Sequence, residues 1–376
     1  MAAAGVNAVL WRAVRAHGLL EPVKGAKKAV VRAAGVYGAA PTCYLSLASR
    51  AKGFQSEDLD HALNEKRSLV RVPAMRGSVY ILPVELAPFG LALAGSVGLE
   101  GLLNRAGLEP AQYARVSSAI ENVLAEGPRT AAEIRQGIQG WREPHAGLLT
   151  LVLRRMSHEG RIVRSRVRGG WRSQSFEYAR FADWLGVPLC LPARQEAMRR
   201  LAPFYFEANG PATVADFAWW AGASKAEAAG ALKSVRLETV AVEGLEGTLL
   251  ATPQSLQEMA KAPARWNDIH LLPYWDPYVM AHAGRRRYLD PRWADRVIDR
   301  GGNATNVVLK AGRVAGVWDF EQGTLLFASF DNLDAKAVRE AAARCLGPLG
   351  VERVKPAPPP GPLARAGQNA FMAPLR

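Results

Sequence analysis

Apolar residues in the first part of the chain recur every three or four positions, a spacing that places them on one face of a helix. The pattern predicts helices over residues 6–17 and 26–36 and a third that begins at Ser56. The Ser56 hydroxyl can accept a backbone N–H bond, and the acidic residues after it lie where the helix dipole favours them. Residues 69–71 and 78–82 then predict a pair of β-strands around the turn sequence AMRG.

The same order of helices followed by a β-hairpin returns twice. The second pass predicts helices at 114–125, 130–138 and 148–159 and two β-rich arms around the paired Gly169 and Gly170, which favour a tight hairpin. The third pass predicts helices at 196–207, 213–222 and 224–235 and strands within 237–244 and 247–253. The breaks EGPRTAAEI and NGPATVADF both place Gly-Pro before a capping threonine, with an acidic residue three positions later. Three such passes predict tandem winged-helix domains, and a chance succession of helices and hairpins is the alternative.

From about residue 264 the pattern changes to short alternating runs separated by glycine turns. It predicts an antiparallel sheet with a helix at 334–346 packed on it. The fold class is therefore α+β: tandem winged-helix domains, each a helix-turn-helix with a β-hairpin, and a C-terminal antiparallel β-rich domain. The predicted division is a first winged helix with a connecting helix at 1–111, a second at 112–190, a third at 191–262, the β-rich domain at 263–354 and an extended tail at 355–376.

Composition narrows the class of protein further. Apolar residues make up 49% of the chain, enough for a folded core, and the net charge is +14. A surplus of that size favours a polyanionic partner, because basic side chains that neutralise phosphates release counterions. A genome that prefers arginine and alanine is the alternative source of the charge. The three cysteines are far apart and lack zinc spacing, which predicts reduced thiols and a cytoplasmic, nucleoid-associated protein.

The sequence also predicts several absences. The N-terminus has no basic region before its apolar stretch, and no run approaches the ~18 apolar residues that a membrane span needs. Neither a nucleophilic triad nor a phosphate-binding or dinucleotide-binding glycine loop is apparent. We therefore expect a monomer with no membrane segment, no metal and no other cofactor, and double-stranded DNA, damaged or intact, as its partner.

The second pass supplies the residues for DNA binding, since a winged helix places one helix in the major groove and its hairpin along the backbone. Arg154 and Arg155 lie late on the helix. The hairpin that follows carries Arg161, Arg164, Arg166, Arg168 and Arg172. Because Arg164, Arg166 and Arg168 alternate, they are predicted to project from one face of a strand toward phosphates. Trp171, at the tip, could stack or pack on sugars. A solvated hairpin is the alternative interpretation.

Two other stretches carry candidate chemistry. Arg76 lies in the AMRG turn, and Arg285, Arg286 and Arg287 follow a glycine, where a tight turn could reach into a minor groove. A charged turn that keeps the sheet soluble is the alternative. Asp276 lies in the aromatic stretch LLPYWDPYVM, where it could hold a water or pair with an arginine. An aspartate before a proline more often simply forms a turn.

Several blocks together resemble the winged-helix DNA glycosylases of the AlkZ/YcaQ type. They are YLSLASR with AKGF, LVRVPAMRGSVYILP, GPATVADFAWWAG, LLPYWDPYVM and VVLKAGRVAGVWDF, and their order and spacing cover nearly the whole chain. The resemblance implies three winged helices, a β-rich C-terminal domain and duplex DNA as partner. It also implies metal-independent hydrolysis of the N-glycosidic bond of alkylated purines, and a role in the repair of bulky adducts and interstrand crosslinks.

One departure concerns the catalytic motif. Enzymes of that type carry a Gln-apolar-Gln or Gln-apolar-Asp motif just before the stretch matched by YLSLASR, and its side chains orient the attacking water. Here the stretch reads AAGVYGAAPTC, in which Tyr37, Thr42 and Cys43 bear the polar side-chain atoms. The block MRG-Thr-x-His is here MRGSVY, with Ser78 and Tyr80.

These substitutions leave three functions open. In a glycosylase-like protein with altered chemistry, Tyr37 or Thr42 would hold the water and Asp276 would assist. A non-catalytic protein that recognises damaged or bent DNA is the second function. A transcriptional regulator is the third, and three winged helices without an effector domain argue against it. Polar groups that converge on a base-sized cavity would favour the first function, and a filled apolar pocket the second.

Overall fold

The computed structural model describes residues 4–39, 41–95, 99–140, 147–186 and 189–363. These residues form a mixed α+β fold with antiparallel sheets, as the sequence predicts. The chain divides into two compact units. The first unit comprises Met1–Tyr37, Thr42–Asp58 and Ala202–Arg376, and the second comprises Gly38–Pro41 and Leu59–Leu201. The finer division into five segments stays a prediction.

The first unit combines short helices with three small sheets. Its helices are Val6–Ala16, Ala26–Arg32, Thr42–Ala48, Val214–Ala221, Lys225–Leu232, Pro253–Met259, Pro277–Met280, Ala294–Val297 and Ala335–Cys345. The strands of these sheets are Ala4–Gly5, Glu238–Val240, Val242–Glu243, Leu249–Ala251, Ile269–Leu272, Val307–Lys310, Arg313–Glu321, Thr324–Ser329 and Arg353–Pro356, and the short strand Val36–Tyr37 lies outside them. The helices Ser56–Asn64 and Arg194–Asn209 each contribute residues to both units.

The largest sheet of the first unit is built from the C-terminal part of the chain. Its strands follow one another in sequence order from Ile269–Leu272 to Arg353–Pro356. The first four pair antiparallel, whereas the last pairs parallel to Thr324–Ser329. The helix Ala335–Cys345 lies between those two strands in sequence, and a crossover of this kind is what a parallel pair requires. Lys355 and Pro356, at the start of the predicted extended tail, belong to this last strand.

The core of the first unit joins the two ends of the chain. Leu10 and Val14 of the first helix are buried in one cluster with Val307, Leu309 and Val317 of the C-terminal sheet. Each of these side chains is at most 2% exposed. Burial of a Val or Leu side chain contributes about 1.5–3 kcal/mol. The N-terminal helix is thus part of the C-terminal core.

The second unit places helices around a sheet. Its helices are Ala87–Ala94, Leu99–Arg105, Pro110–Ala125, Ala131–Gly137, Leu148–His158 and Phe181–Leu185. Its strands lie side by side in the order Val79–Pro83, Leu69–Pro73, Ile162–Arg168, Ser175–Arg180 and Arg129–Thr130. Thr130 accepts a hydrogen bond from the backbone N–H of Glu133, whose side chain accepts one in return from the Thr130 N–H, so the predicted capping box is confirmed.

The arginine-rich hairpin differs from its prediction in two ways. Arg168 pairs with Ser175, so residues 169–174 form a longer loop in place of a two-glycine turn. The register also shifts between Arg164, which pairs with Tyr178, and Val167, which pairs with Phe176. This β-bulge inserts one residue into the strand and reverses the alternation beyond it. Arg164 and Arg168 therefore lie on opposite faces, and the prediction of one arginine face is wrong.

The described part of the chain can also be compared with the features of membrane spans and metal sites. No single helix there is long and apolar enough to cross a membrane, and one bent pair, Val84–Ala94 with Leu99–Arg105, passes on length and composition alone. Within the same ranges, no group of three or more His, Cys, Asp or Glu side chains could hold a metal ion.

Candidate functional site

Three half-buried rings in the first unit form what we call the aromatic site: Tyr37, Tyr274 and Trp275. The ring centres of Tyr37 and Trp275 are 4.5 Å apart, and those of Tyr274 and Trp275 are 4.8 Å apart, edge to face. Trp275 has a left-handed backbone, with φ of 59°. A non-glycine residue in that region costs about 1–3 kcal/mol, so the fold holds this indole in place against a backbone preference.

The aromatic site and the chain that follows Tyr37 carry three hydroxyl groups, those of Tyr37, Tyr274 and Thr42. Thr42 begins the helix Thr42–Ala48 and is 4% exposed. Its Oγ1 makes no hydrogen bond to any described residue. Burial, with the nearby Tyr37 and Cys43, raises the pKa of Tyr274 to about 12. Hydroxyls of this kind can orient a water molecule, but they are poor proton acceptors at neutral pH.

Asp276 immediately follows the aromatic site and is completely buried. Its two carboxylate oxygens accept hydrogen bonds from the Arg50 guanidinium at 2.6 and 2.8 Å. The Ser46 hydroxyl donates to Oδ2 at 2.8 Å, and the backbone N–H of Tyr278 donates to Oδ1 at 3.0 Å. Both alternatives from the sequence are thus present, since Asp276 pairs with an arginine and caps the helix Pro277–Met280. These contacts occupy both oxygens, and a catalytic role for Asp276 stays a prediction.

The ion pair of Asp276 extends into a buried polar network that the sequence did not reveal. Nη2 of Arg50 lies 3.4 Å from Nδ1 of His17, and Nε2 of His17 lies 2.9 Å from Oδ1 of Asn209. His282 Nε2 lies 3.0 Å from the Asn209 carbonyl oxygen. Burial, reinforced by Arg50, lowers the pKa of His17 to about 3, so its ring is neutral. The signal in the sequence was the arginine that ends the otherwise uncharged block YLSLASR.

The predicted DNA-binding arginines of the second unit fall into two groups. The exposed ones are Arg76, Arg154, Arg166, Arg168 and Arg172. Arg155 instead donates to Glu159 at 2.8 Å and lies over the ring of Tyr113. Arg168 donates to the buried Glu177 at 2.6 Å. Arg155 and Arg168 thus each form an ion pair with a glutamate of the same unit.

Two predicted residues at the hairpin lie close together. The guanidinium of Arg172 lies 5.1 Å from the ring centre of Trp171, which is half-buried. Arg164 is half-buried on the strand face opposite to that of Arg168, and its guanidinium carbon lies 5.2 Å from the ring centre of Phe176. Burial chiefly lowers the pKa of His158, and the positive charges of Arg154 and Arg164 lower it further. The last turn of the helix Leu148–His158 and the hairpin thus contribute to one basic surface.

The arginine run of the first unit is only partly exposed. Arg287 is 7% exposed and donates to the Pro211 carbonyl oxygen at 2.7 Å, with Asp216 at 3.4 Å. The prediction that it projects from a tight turn is therefore wrong, because the fold uses it to pair with a buried carboxylate. Arg285 donates to the Gly302 carbonyl oxygen at 2.5 Å. Arg286 alone of the three is exposed.

A mixed α+β chain with an exposed cluster of arginines and a separate aromatic site has the features of a nucleic-acid-binding protein. The chain belongs to the family described as DNA glycosylase AlkZ-like, which matches residues 31–348. The resemblance carried by the sequence blocks is thereby confirmed.

Two comparisons describe the relatives. The interstrand DNA cross-link repair glycosylase of Streptomyces sahachiroi is 28% identical over 321 residues, which cover 76% of this chain and 81% of that protein. The structure of Streptomyces sahachiroi DNA glycosylase AlkZ matches with a TM-score of 0.79 at 23% identity, covering 94% of this chain and 100% of that chain. At that identity, the structural match shows a similar fold.

Proposed function

We propose that this protein binds double-stranded DNA that carries bulky alkylated purines or interstrand crosslinks, with weak or absent hydrolysis of the N-glycosidic bond. The observation that carries the proposal is the chemistry of the aromatic site. In the stretch that the resemblance matches to the carboxamide motif of such enzymes, this chain carries the hydroxyls of Tyr37 and Thr42. Both oxygens of Asp276 already accept hydrogen bonds from Arg50 or Ser46. Family membership and the named activity of the Streptomyces sahachiroi relative support DNA as the partner.

The reaction itself explains why hydrolysis should be slow. Excision needs a positioned water and stabilisation of the positive charge that develops on the sugar. Tyr37 and Thr42 can orient a water, but neither carries the negative charge of a carboxylate. The loss of general-base assistance typically lowers a rate about 10²–10⁴-fold. A cationic N7 or N3 purine adduct would tolerate this loss best, because its leaving group needs no protonation.

The aromatic site also suits recognition of such a base. A cation placed over the face of a Trp or Tyr ring is attracted by about 0.5–2 kcal/mol. Base–aromatic stacking adds about 1–3 kcal/mol for each base. An alkylated purine cation combines a flat ring with a positive charge, so it would benefit from both interactions at Tyr37 and Trp275.

Contact with the DNA backbone would come from the basic surface of the second unit. The helices Pro110–Ala125, Ala131–Gly137 and Leu148–His158 precede the hairpin, the element order of a winged helix. Arg154 on the last helix and Arg166 and Arg172 on the hairpin are exposed. We infer a winged-helix mode of binding from this order. Tandem repetition of the unit is part of the same proposal.

The decisive experiment compares binding with excision on one set of duplexes. Duplexes with a 7-alkylguanine, an interstrand crosslink, a hypoxanthine or no lesion are incubated with the protein. Affinity is measured by fluorescence anisotropy and abasic sites are scored by alkaline cleavage. We expect preferential binding of the cationic lesions and slow or undetectable excision. Rapid excision of hypoxanthine, a neutral base, would contradict the proposal and reveal a general acid.

Variants of Tyr37 separate recognition from water positioning. Tyr37→Phe keeps the ring and removes the hydroxyl, so binding should persist while any residual excision falls. Tyr37→Ala removes both and should also reduce the preference for the cationic lesion. Trp293→Phe, a change at a stacked ring pair elsewhere in the same unit, serves as the matched aromatic control. Equal effects of all three variants would count against a specific role of the aromatic site.

A further inference from the structure

Two arginines in the second unit lie directly opposite each other on neighbouring strands. Arg71 of Leu69–Pro73 pairs with Arg164 of Ile162–Arg168, and Arg71 is 2% exposed. Both guanidinium carbons approach the same ring, at 5.4 and 5.2 Å from the centre of Phe176. Like charges directly opposite on adjacent strands are destabilising. The two guanidiniums therefore make this part of the sheet basic.

A cavity of about 310 Å³ opens beside Arg164 and Phe176. Its other polar walls are Thr130, Gln174, Ser175 and Tyr178, and the remaining lining residues are alanines. None of the residues that line it is acidic. The guanidinium, the amide and the hydroxyls can all donate hydrogen bonds. The volume is at the lower end of the range for small-ligand sites.

We propose that this cavity binds one phosphorylated nucleotide, with the phosphate on Arg164 and the nucleoside in the space toward Gln174, Ser175 and Tyr178. A phosphate accepts bidentate hydrogen bonds from a guanidinium, and the buried Arg71 adds a second positive charge behind it. The site goes beyond the proposed function, because it holds a single nucleotide and not a duplex backbone. The nucleotide is either free in solution or the 5′-phosphorylated terminus of a DNA strand.

The first test measures binding of deoxyadenosine 5′-monophosphate to the full chain by isothermal titration calorimetry, with deoxyadenosine as the comparison. We expect the phosphorylated compound to bind and the nucleoside to bind far more weakly. Arg164→Gln should lower affinity about 10- to 100-fold, the loss of a hydrogen bond to a charged group. Arg115→Gln removes the same charge from an exposed position on the helix Pro110–Ala125 of the same unit and should leave affinity unchanged. Equal losses in both variants would overturn the proposal in favour of a diffuse charge effect.

A second pair of variants avoids any risk to folding. Ala132 lines the cavity from an exposed position in the first turn of the helix Ala131–Gly137. A glutamate there suits the helix dipole, so Ala132→Glu should fold normally and repel the phosphate. Ala132→Gln has nearly the same size without the charge and should bind normally. Undiminished nucleotide binding in Ala132→Glu would also overturn the proposal.

Duplexes with a recessed 5′ end distinguish the two sources of the nucleotide. If the terminus is the ligand, a 5′-phosphorylated end should bind more tightly than a 5′-hydroxyl end, and Ala132→Glu should abolish the difference. If the free nucleotide is the ligand, the two ends should bind alike while the monophosphate still binds. Failure of both the monophosphate and the phosphorylated end to bind would refute this site, whereas binding to lesion-bearing duplexes would still test the proposed function.

Discussion

Single side chains decide whether Asp276 acts in structure or in catalysis. Both side chains of its ion pair with Arg50 are completely buried. Removal of one partner from a buried ion pair lowers the free energy of unfolding by about 3–5 kcal/mol. We therefore expect Asp276→Asn to lower the free energy of unfolding by an amount in this range, measured by urea denaturation.

Asp290→Asn is the matched control for this change. Asp290 also precedes a proline and caps a short helix, but its ion pair with Arg292 is exposed. Its replacement should leave the stability nearly unchanged. An Asp276→Asn protein that keeps its stability and loses excision activity would establish a catalytic role.

Buried histidines should make the protein sensitive to acid. Burial, with Arg344 nearby, lowers the pKa of His270 to about 3, well below the value of about 6.5 in an unfolded chain. The unfolded state therefore binds one more proton than the folded state as the pH falls from 6.5 toward 3. Across that window, the histidine raises the unfolding equilibrium constant about tenfold for each pH unit.

His270→Leu should remove this contribution at little cost near pH 7. Neither ring nitrogen of His270 has a hydrogen-bond partner among the described residues, so an apolar side chain of similar size can replace it. Urea unfolding at several pH values should show a shallower loss of stability in the variant below pH 6.5. His17→Leu is the informative contrast, since it also removes the hydrogen bond to Asn209. A variant slope equal to that of the wild type would mean that His270 is already protonated in the folded protein.

The identity of the residues at the site was only partly predictable. Tyr37, Thr42 and Asp276 follow from the sequence as chemically capable groups. The partner of Asp276 does not, because Arg50 lies 226 positions away and no local pattern links them. The burial of Arg287 could not be predicted for the same reason, because its carboxylate partner Asp216 lies in another segment of the chain.

Individual elements show where local rules suffice. The capping boxes at Thr130 and Thr213 form as their spacing predicts, because every group involved lies within three residues. At the bulge after Arg164, a residue from outside the hairpin contributes a contact, since Arg71 donates to the Ser165 carbonyl oxygen at 3.0 Å. The alternation of residues within the hairpin sequence cannot predict that contact.

The bulge leads to different expectations for two nearby arginines. Arg166→Ala removes an exposed charge, so it should weaken binding equally for all duplex sequences and reduce the salt slope by about 1. Arg168→Ala leaves the carboxylate of Glu177, which is 4% exposed, without its guanidinium, and should cost about 1–2 kcal/mol of stability. Anisotropy titrations and thermal unfolding separate the two effects. Loss of stability in Arg166→Ala and not in Arg168→Ala would contradict this assignment of the two arginines.

At the scale of the whole molecule, the sequence predicted the succession of elements better than their assembly. Helices and hairpins repeat along the chain, yet residues 1–37 and 42–58 join residues 202–376 in one unit. The association depends on apolar clusters of distant segments, such as the one that contains both Leu10 and Val307. The periodicity of a sequence predicts which face of an element is buried, but not which distant element it packs against. A division of the chain into consecutive segments does not describe this association of N-terminal with C-terminal residues.

The net charge of +14 yields a prediction for the complete protein. If binding neutralises about 6 phosphates, affinity for a duplex should fall roughly 10³-fold between about 50 and about 200 mM salt. Titrations of a labelled, undamaged duplex at several salt concentrations measure the slope. An affinity that does not change with salt would exclude the arginines as the main contacts.

The β-bulge in the arginine-rich hairpin also shows how such a surface can diverge between relatives. One inserted residue exchanges inward and outward positions for the remainder of the strand, whereas substitution would have to change each position separately. Two homologous hairpins with the same number of arginines can therefore present them on different faces. Column-by-column comparison through residues 164–168 would then pair side chains that point in opposite directions, unless the alignment places a gap at the bulge.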